Sequence, residues 1–351
     1  MNPRRRRLLI PGLLVALIVV VVVTSLIDRA DAATDKPVAV LGDARITESS
    51  GLAVSSAHDG LAYTVNDSGN APEVFAVDLS SGDVVGVTTV RADFRDVEAL
   101  ALRDGTLWIG DVGDNRAERD DLALYAIDEP GRASATVAAQ RYPVALAGGP
   151  ADVEALLAPP DSDRLHVVTK AVGDAAVMTL DTGDLDTRST TEFEATASGL
   201  PALVTDGAFS PDGSRVALVS YGSLWTIDPA DWSIVGSGPL PPLEQAETVA
   251  FVDDDDDAVL VGTEGADSPL YRLDLPVGSA SAGGPATVAT SVPEPSVSPA
   301  SAEVAAASST GVAVDTRTVV LGGLGVAALA VLLVVAVRRR GPSGGARRAI
   351  R

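Results

Sequence analysis

Cysteine is missing from this sequence of 351 residues, and histidine occurs only twice. Without cysteine the chain has no disulfide bonds, thiolate metal ligands or cysteine nucleophiles. The two histidines, His58 and His166, fall in a predicted turn and a predicted strand, where we expect surface and packing roles. A Gly-x-Ser-x-Gly motif is also absent, so a Ser-His-Asp hydrolase is not indicated. Nucleotide binding has no support either, because no glycine-rich loop follows a strand and opens a helix.

Amphipathic helical periodicity is equally scarce between residues 33 and 276, where a short pattern recurs five times instead. Each copy has a small or acidic residue, then a small residue, then an apolar pair. The copies begin 41 to 56 residues apart, a spacing typical of the four-stranded units of β-propellers. They are Ser50–Ala53, Glu98–Ala101, Glu154–Leu157, Asp206–Phe209 and Glu247–Ala250.

Two runs of strand length follow each copy, and the second run ends in aspartate. In the first copy these runs are Leu61–Val65 and Glu73–Asp78, and their β-branched and aromatic residues favour strands. Asp-Gly turn motifs separate many of the runs. The pattern predicts an all-β fold, a single β-propeller of five four-stranded blades. We expect Pro37–Leu41 to close the ring by pairing into the last blade, with Ala286–Thr290 as the rival strand.

The turn at Phe209–Gly213, with the recurring aspartate at strand ends, resembles the WD-repeat, NHL and TolB group of β-propellers over residues 36–276. The Asn-Asp-Ser-Gly loop at Asn66–Gly69 and the Gly-Asp-x-Gly-Asp-Asn-Arg loop at Gly110–Arg116 are similar to those of exported, membrane-anchored propellers of high-GC bacteria. This resemblance implies a propeller fold. It also implies that an enzyme remains an alternative, because the group includes propellers labelled esterase-like or phytase-like.

Hydrophobic segments flank the repeat region. Arg4–Arg7 precede an apolar run at Leu8–Ile27 and a small-x-small sequence at Ala30–Ala32, which predicts a cleaved export signal, with a retained anchor as the alternative. Val319–Val337 is an uncharged run of 19 residues, long enough to cross a bilayer. Arginines follow this run at once, so the positive-inside rule places the tail in the cytoplasm and the propeller outside the cell.

The sequence therefore predicts a single-pass cell-membrane protein. Its parts are a signal peptide or anchor at 1–32, a propeller ectodomain at 33–276, a disordered stalk at 277–316, a transmembrane helix at 317–338 and a basic cytoplasmic tail at 339–351. The stalk is predicted from its Ser, Ala, Gly and Pro content, which cannot offset the entropy of ordering.

Acidic residues dominate the charge, with a formal net charge of −22 at pH 7. A surface of this kind repels nucleic acid and attracts metal ions or basic partners. We interpret most of these charges as serving solubility or salt tolerance, and Asp253–Asp257 as a solvated loop at a turn, with a cation site as the alternative.

Strand direction predicts where the remaining acids lie. The first two strands of a blade are antiparallel, so the start of the first and the end of the second meet on the same face of the disc. Two sets of residues are therefore expected around one mouth of the central channel. The candidate metal ligands are Glu48, Asp96, Glu98, Asp152, Glu154, Asp206 and Glu247, and the candidate ligand-binding residues are Asn66, Asp67, Asp111, Asp114, Asn115, Arg116, Lys170, Tyr221 and Glu264.

Carboxylate and amide oxygens without histidine or cysteine suit a hard cation, with Ca²⁺ first and Mg²⁺ or Mn²⁺ behind it. The alternative is that each acid accepts backbone N–H groups of the neighbouring blade. Two functions follow from the sequence. The first is an extracellular binding module for a protein, peptide or glycan, and the second is a metal-dependent hydrolase of phosphoesters or lactones with Glu98 or Glu154 as general base.

Overall fold

Antiparallel strands form almost all the regular structure in the computed structural model, which describes residues 36–67, 69–252 and 255–278. A single turn of 3₁₀ helix at Thr182–Asp184 interrupts them. The prediction of an all-β fold is confirmed. The strands are β1 Ala39–Leu41, β2 Ser49–Val54, β3 Leu61–Asn66, β4 Glu73–Asp78, β5 Val84–Arg91, β6 Val97–Arg103, β7 Thr106–Asp111, β8 Ala123–Asp128, β9 Ala135–Ala138, β10 Gln140–Leu146, β11 Val153–Leu157, β12 Arg164–Thr169, β13 Ala175–Asp181, β14 Thr191–Leu200, β15 Val204–Phe209, β16 Val216–Ser220, β17 Ser223–Asp228, β18 Ser233–Pro239, β19 Ala246–Val252, β20 Asp255–Thr263 and β21 Ser268–Asp274.

Apart from β9, the strands form five antiparallel units of four. Unit 1 is β2-β3-β4-β5, unit 2 is β6-β7-β8-β10, unit 3 is β11-β12-β13-β14, unit 4 is β15-β16-β17-β18 and unit 5 is β19-β20-β21-β1. The first strand of each unit is the inner one, and β2, β6, β11, β15 and β19 pack against one another in a ring that returns from β19 to β2. The sheet architecture is therefore propeller-like.

The N-terminal strand closes the last unit. β1 pairs with β21 in antiparallel register, with Ala39 opposite Leu270 and Leu41 opposite Ser268. This agrees with the strand predicted at Pro37–Leu41. The rival strand, Ala286–Thr290, lies outside the described residues.

Two outer strands link neighbouring units in a way that the sequence did not predict. The first of these strands, β9, pairs in parallel with β5 of unit 1. β10 stays in unit 2 and pairs in parallel with β14 of unit 3 over Val144–Leu146. Units 2 and 3 thus share one eight-stranded sheet whose end strands, β6 and β11, also contact each other.

Hydrophobic side chains fill the interfaces between neighbouring units. Between units 1 and 2, Leu61 and Tyr63 of β3 pack in one buried cluster with Leu107 and Ile109 of β7. The cluster between units 5 and 1 includes Leu260 of β20, which is buried among side chains of the first unit. Burial of apolar surface at each interface, at about 25 cal/mol per Å², is the main force that holds the ring together.

Each inner strand carries a β-bulge near its start. The extra residue is Gly51, Glu98, Glu154, Thr205 or Glu247, because the pairing partners on either side skip that position. A bulge bends the strand and re-aims a side chain out of the regular alternation. It therefore places three of the repeat glutamates, Glu98, Glu154 and Glu247, in equivalent positions at the same end of the ring.

Asp206 departs from this pattern by one residue. In unit 4, Val204 pairs with Ser220 and Asp206 pairs with Val219, so Thr205 holds the bulge and is the equivalent of Glu154. The sequence repeat had aligned Asp206 itself with Glu154.

The predicted membrane segments at Leu8–Ile27 and Val319–Val337 lie outside the described residues. Within the described part of the chain, no helix has the length and apolar character needed to cross a bilayer.

Candidate metal centre

Eight carboxyl groups surround the end of the ring where the inner strands begin. They form one set because their negative charges repel one another. Glu98 is repelled by Asp67, Asp96 and Glu154. Glu154 is repelled by Asp152 and Glu247, and Glu264 is repelled by Asp67 and Glu48. We call this set the acidic mouth; its members are Glu48, Asp67, Asp96, Glu98, Asp152, Glu154, Glu247 and Glu264. All five units except unit 4 contribute to it.

Three members of the acidic mouth come closest together. One carboxylate oxygen from each of Asp67, Asp96 and Glu98 lies within 4.8 Å of the other two. Asp67 follows β3, Asp96 precedes β6 and Glu98 is the bulge residue of β6, so the trio joins units 1 and 2. Gly113 lies against the trio, because a Cβ there would meet the side chains of Glu98 and Asp96 at 2.7 and 2.8 Å.

Glu98 is the buried member of the trio, with only 3% of its surface exposed. The hydroxyl of Ser50 donates to its carboxylate at 3.2 Å and to its backbone carbonyl at 2.9 Å. Burial raises the pKa of Glu98 to about 11, and repulsion from Glu154, Asp67 and Asp96 adds to the rise. Among the described residues no lysine or arginine forms an ion pair with Glu98, and its side chain shares a hydrogen bond with Asp67 that also favours the protonated form.

Glu154 is buried to a similar degree but has a cation beside it. Lys170 Nζ donates to its carboxylate at 2.9 Å and lies 5.3 Å from the centre of the Tyr221 ring. Burial raises the pKa of Glu154 to about 8, and Lys170 limits that rise. Burial alone would lower the pKa of Lys170, but Glu154 and the Tyr221 hydroxyl raise it, so the lysine stays charged.

Glu247 is the third glutamate at a bulge, and the side chain that forms a hydrogen bond with it is neutral. The side-chain amide of Gln245 donates to its carboxylate. Burial raises the pKa of Glu247 to about 7, although this hydrogen bond opposes the rise. Burial and the charges of Asp67 and Glu48 raise the pKa of Glu264 as well.

The pH dependence of stability follows from these shifts. Glu98, Glu154 and Glu247 have pKa values of about 11, 8 and 7 in the folded state, above the usual value of 4.5. The folded state therefore binds more protons than the unfolded state between pH 4.5 and these values, and stability falls as pH rises. We expect metal-free protein to melt at a higher temperature at pH 5 than at pH 8. A melting temperature that rises steadily from pH 5 to pH 8 in chelator would contradict this assignment.

Two of the predicted ligand-binding residues accept backbone N–H groups of the loop that precedes their inner strand. Asn66 Oδ1 accepts the backbone N–H groups of Thr47 and Glu48 at 3.2 Å. Asp111 has the equivalent place at the end of β7 and accepts the N–H groups of Arg95 and Asp96 at 3.2 and 3.0 Å. Both side chains clamp the segment that leads into the inner strand of their own unit, so their oxygens are already used.

The Asp114-Asn115-Arg116 loop contains one buried residue and two exposed residues. Asp114 is buried, and its carboxylate accepts the N–H groups of Glu118 and Arg119 at 3.0 and 2.8 Å. Its own N–H donates to Asp152 at 2.7 Å, which ties this loop to unit 3. Asn115 and Arg116 are exposed beside the mouth, where they are accessible to a ligand.

Arg119 is the residue of this loop that sequence reasoning missed. Its guanidinium donates to Asp111 at 2.8 Å, to Asp121 at 2.9 Å and to the carbonyl of Gly113 at 2.6 Å. Only 6% of this side chain is exposed. The Gly-Asp-x-Gly-Asp-Asn-Arg motif stops at Arg116, and no local pattern marks Arg119 as the arginine that neutralises Asp111.

Asp206 lies inside the ring below the acidic mouth and is fully buried. Its carboxylate accepts the N–H groups of Gly207 and Val249 at 2.7 Å each, and a third N–H from Leu52. Burial raises its pKa well above the usual value, and these three bonds oppose the rise. Asp206 thus fits the alternative in which an acid accepts backbone groups of other units.

The histidines do not reach the mouth. His166 is buried at the interface of units 3 and 4, where its ring packs against Phe209 and Trp232. Its Nδ1 is 2.7 Å from the Thr179 hydroxyl, and burial lowers its pKa to about 4, so the ring is neutral. His58 lies in the turn between β2 and β3, at the other end of the ring.

No protein-family model and no curated protein match the sequence. Among solved structures, a chain of Kuenenia stuttgartiensis hydrazine synthase is 18% identical with a TM-score of 0.37, covering 62% of this chain and 56% of that one. A chain of a mitotic checkpoint complex is 13% identical with a TM-score of 0.36, covering 69% of this chain and 65% of that one. The chain thus spans less than two thirds of either neighbour, and the description of the fold rests on its own strand pairing.

Proposed function

We propose that this protein is a membrane-tethered, extracellular binding module whose acidic mouth holds a divalent cation, with Ca²⁺ as the first choice. In this proposal units 1 to 5 are the blades of a five-bladed propeller over residues 33–276. The observation that carries the proposal is the trio of Asp67, Asp96 and Glu98, with three carboxylate oxygens within 4.8 Å and one of the acids buried without a cationic partner among the described residues.

The size of the trio fits Ca²⁺. Calcium binds oxygen ligands at about 2.3–2.6 Å, so two ligands on opposite sides of the ion lie about 5 Å apart. All three oxygens lie within 4.8 Å of one another, which is inside that limit. Magnesium requires oxygens at about 2.0–2.1 Å in a near-octahedral arrangement, whereas Ca²⁺ accepts a more flexible geometry. Asp67 and Asp96 are partly exposed, so water or an external ligand can complete the shell.

The charge balance also favours a cation. Elsewhere in and around the mouth each buried acid has a local partner: Lys170 for Glu154, Arg119 for Asp111 and three N–H groups for Asp206. Glu98 has the hydroxyl of Ser50 and three other carboxylates around it. A divalent ion would remove the repulsion that raises the pKa of Glu98, and it would let the trio ionise together.

Strand direction supports a mouth that points away from the membrane. β21 runs from the acidic mouth towards the opposite face, and β1 runs back along it, so the chain enters and leaves the ring on the side opposite the mouth. After β21, Leu275 donates to the carbonyl of Asp257 at the start of β20, which is also on that side. The predicted anchor and stalk both continue from that side. The acidic mouth, with Asn115, Arg116 and Tyr221 exposed around it, is then free to contact a protein, peptide or glycan.

Calcium should raise the melting temperature of the wild-type protein, and replacing Asp96 by Asn should abolish most of that rise. Ion at 100 times its dissociation constant stabilises a folded protein by about 2.7 kcal/mol, which corresponds to roughly 5–10 °C for a domain of this size. The measurement is differential scanning fluorimetry in chelator and in millimolar Ca²⁺.

The matched control for that experiment is Asp104→Asn. Asp104 lies in the β6–β7 turn at the other end of the ring, with 84% of its side chain exposed, and asparagine tolerates its positive φ of 51°. This variant should keep the full calcium response. An equal rise in melting temperature with calcium in wild-type protein and Asp96→Asn would contradict the proposed site.

A metal-dependent hydrolase is the second candidate, and one observation favours it. The pKa of Glu154 is raised to about 8, which suits a general base near neutral pH, and Glu154 interacts with Glu98 of the trio. Calcium-dependent turnover of generic phosphoester or lactone substrates, lost in Glu154→Gln, would select the enzyme over the binding module.

A further inference from the structure

Each unit of the ring ends in an outermost strand, and in four units the free edge of that strand is covered. β5 of unit 1 pairs with β9, and β10 of unit 2 pairs with β14. The edge of β1 in unit 5 lies against Gly82, where a Cβ would overlap the Val40 carbonyl. The segment that follows β21 covers β18 of unit 4, because the Gly278 N–H donates to the Val235 carbonyl at 3.2 Å.

The outer edge of β14 in unit 3 is open over most of its length. β10 pairs only with its first residues, Thr191–Phe193. In the described part of the chain, the backbone of Glu194–Leu200 pairs with β13 alone. Natural sheet edges are protected by charges, lysine or proline, and Ala195–Gly199 contains none of these. The unpaired N–H and C=O groups of such an edge can accept a further strand.

Bulges do not close this edge to a partner. β14 has extra residues at Thr196 and Gly199, and a bulge can protect an edge by twisting it. β5 and β18 have similar bulges at Val85 and Val235, and both strands are nevertheless covered. In β18 the carbonyl of the bulge residue itself accepts the N–H of Gly278. A strand added to β14 is therefore compatible with its bulges.

A strand-length run with no place in the described structure follows β21 in the sequence. Ala286–Thr290 reads Ala-Thr-Val-Ala-Thr, and its β-branched residues favour a strand. The place beside β21, for which it was the rival candidate, is occupied by β1. Pro285 and Pro293 lie on either side of the run and limit how far it can pair. The run has no charge, so it adds no repulsion to an acidic protein.

The chain leaves the described structure close to the open edge. Gly278, the last described residue, lies against Val235 of β18. The adjacent Ile234 packs in the cluster between units 3 and 4 that also contains Ala197 of β14. The linker from there to Ala286, about eight residues, reaches up to about 26 Å when extended. Packed sheets are about 10 Å apart, so the run can reach the edge of β14.

We propose that Ala286–Thr290 pairs with the open edge of β14 as a further strand of unit 3. Main-chain hydrogen bonds to Glu194–Leu200 hold it, as in other cases of strand addition. All five outer edges are then covered, and the predicted stalk begins after Thr290. The covered edge also removes the template for edge-to-edge pairing with a second copy of the chain.

Site-specific photocrosslinking in the full chain identifies what lies on this edge. Ala195, which is exposed on β14, is replaced by p-benzoylphenylalanine, and crosslinked peptides are mapped by mass spectrometry. We expect crosslinks to residues 286–290 of the same chain. The same replacement at Asp104, which is 84% exposed in another unit, should give no crosslink to this run. Crosslinks to a second copy, or none to residues 286–290, would overturn the proposal.

Hydrogen exchange distinguishes a paired strand from a nearby loop. Val288→Pro removes an N–H donor from the middle of the run, and it should speed exchange of the outward amides of Glu194–Leu200 by about tenfold. Ala282→Pro introduces proline in the preceding linker and should leave their exchange unchanged. Equal exchange of Glu194–Leu200 in wild-type protein and Val288→Pro would overturn the pairing.

Discussion

Replacing Glu98 by glutamine is expected to stabilise the metal-free protein by about 3 kcal/mol at pH 7 and to abolish its response to calcium. The carboxyl of Glu98 is 3% exposed, and its pKa is raised from 4.5 to about 11. At pH 7 the folded protein must hold that group protonated, and each pH unit above 4.5 costs about 1.4 kcal/mol. Glutamine keeps the size of the side chain and can accept the Ser50 hydroxyl, but it has no proton to hold.

The measurement is urea unfolding of wild-type protein and Glu98→Gln in chelator, at pH 5 and at pH 8. The difference between them should be small at pH 5 and large at pH 8, because the penalty grows with pH. Glu192→Gln, an exposed position on β14, removes the same charge without a buried carboxyl and should change stability by less than about 0.5 kcal/mol. A variant Glu98→Gln that is less stable than wild-type protein in chelator at pH 8 would refute the assignment.

Replacing Arg119 by methionine is expected to cost about 3–5 kcal/mol, the usual effect of leaving one partner of a buried ion pair alone. Arg119 and Asp111 are 6% and 3% exposed, and the pair holds the loop that carries Gly113 against the trio. Arg116→Met changes the same residue type three positions earlier, where the side chain is exposed, and should be nearly neutral. Urea unfolding of the two variants compares them directly.

A double variant separates charge from hydrogen bonding at this site. Asp111→Asn with Arg119→Met removes both charges, and one amide oxygen must then accept the two N–H groups that Arg95 and Asp96 donate to separate oxygens of Asp111. Asn66 performs that task in unit 1, where its amide accepts two backbone N–H groups. The double variant should therefore recover more than half of the stability lost in Arg119→Met. A double variant no more stable than the single one would contradict a charge effect.

Much of the fold was open to prediction because it depends on local patterns. The strands of the five units were predicted from strand-length runs, turn motifs and the repeated inner segment. The antiparallel pairing of these strands then predicted which residues lie at the same end of the ring. The strand that closes the ring was predicted at Pro37–Leu41 and is β1. The separate pairing of β9 with β5 was not, because nothing in Ala135–Ala138 marks it as a partner of a neighbouring unit rather than its own.

The position of the candidate site could be predicted from the sequence, but the role of each acid in it could not. Sequence spacing brings Glu98, Glu154 and Glu247 to one end, yet a bulge shifted by one residue moves Asp206 into the ring. Whether an acid accepts backbone N–H groups, forms an ion pair or has no cationic partner depends on groups outside its local sequence. Lys170 reaches Glu154, and no lysine or arginine of the described residues pairs with Glu98.

The most direct test of the account is anomalous diffraction from crystals of the protein grown or soaked with Ca²⁺ or with Tb³⁺ as a calcium substitute. One strong peak is expected about 2.3–2.6 Å from carboxylate oxygens of Asp67, Asp96 and Glu98. A peak elsewhere with none at the trio, or three carboxylates with no ion at millimolar metal, would contradict it.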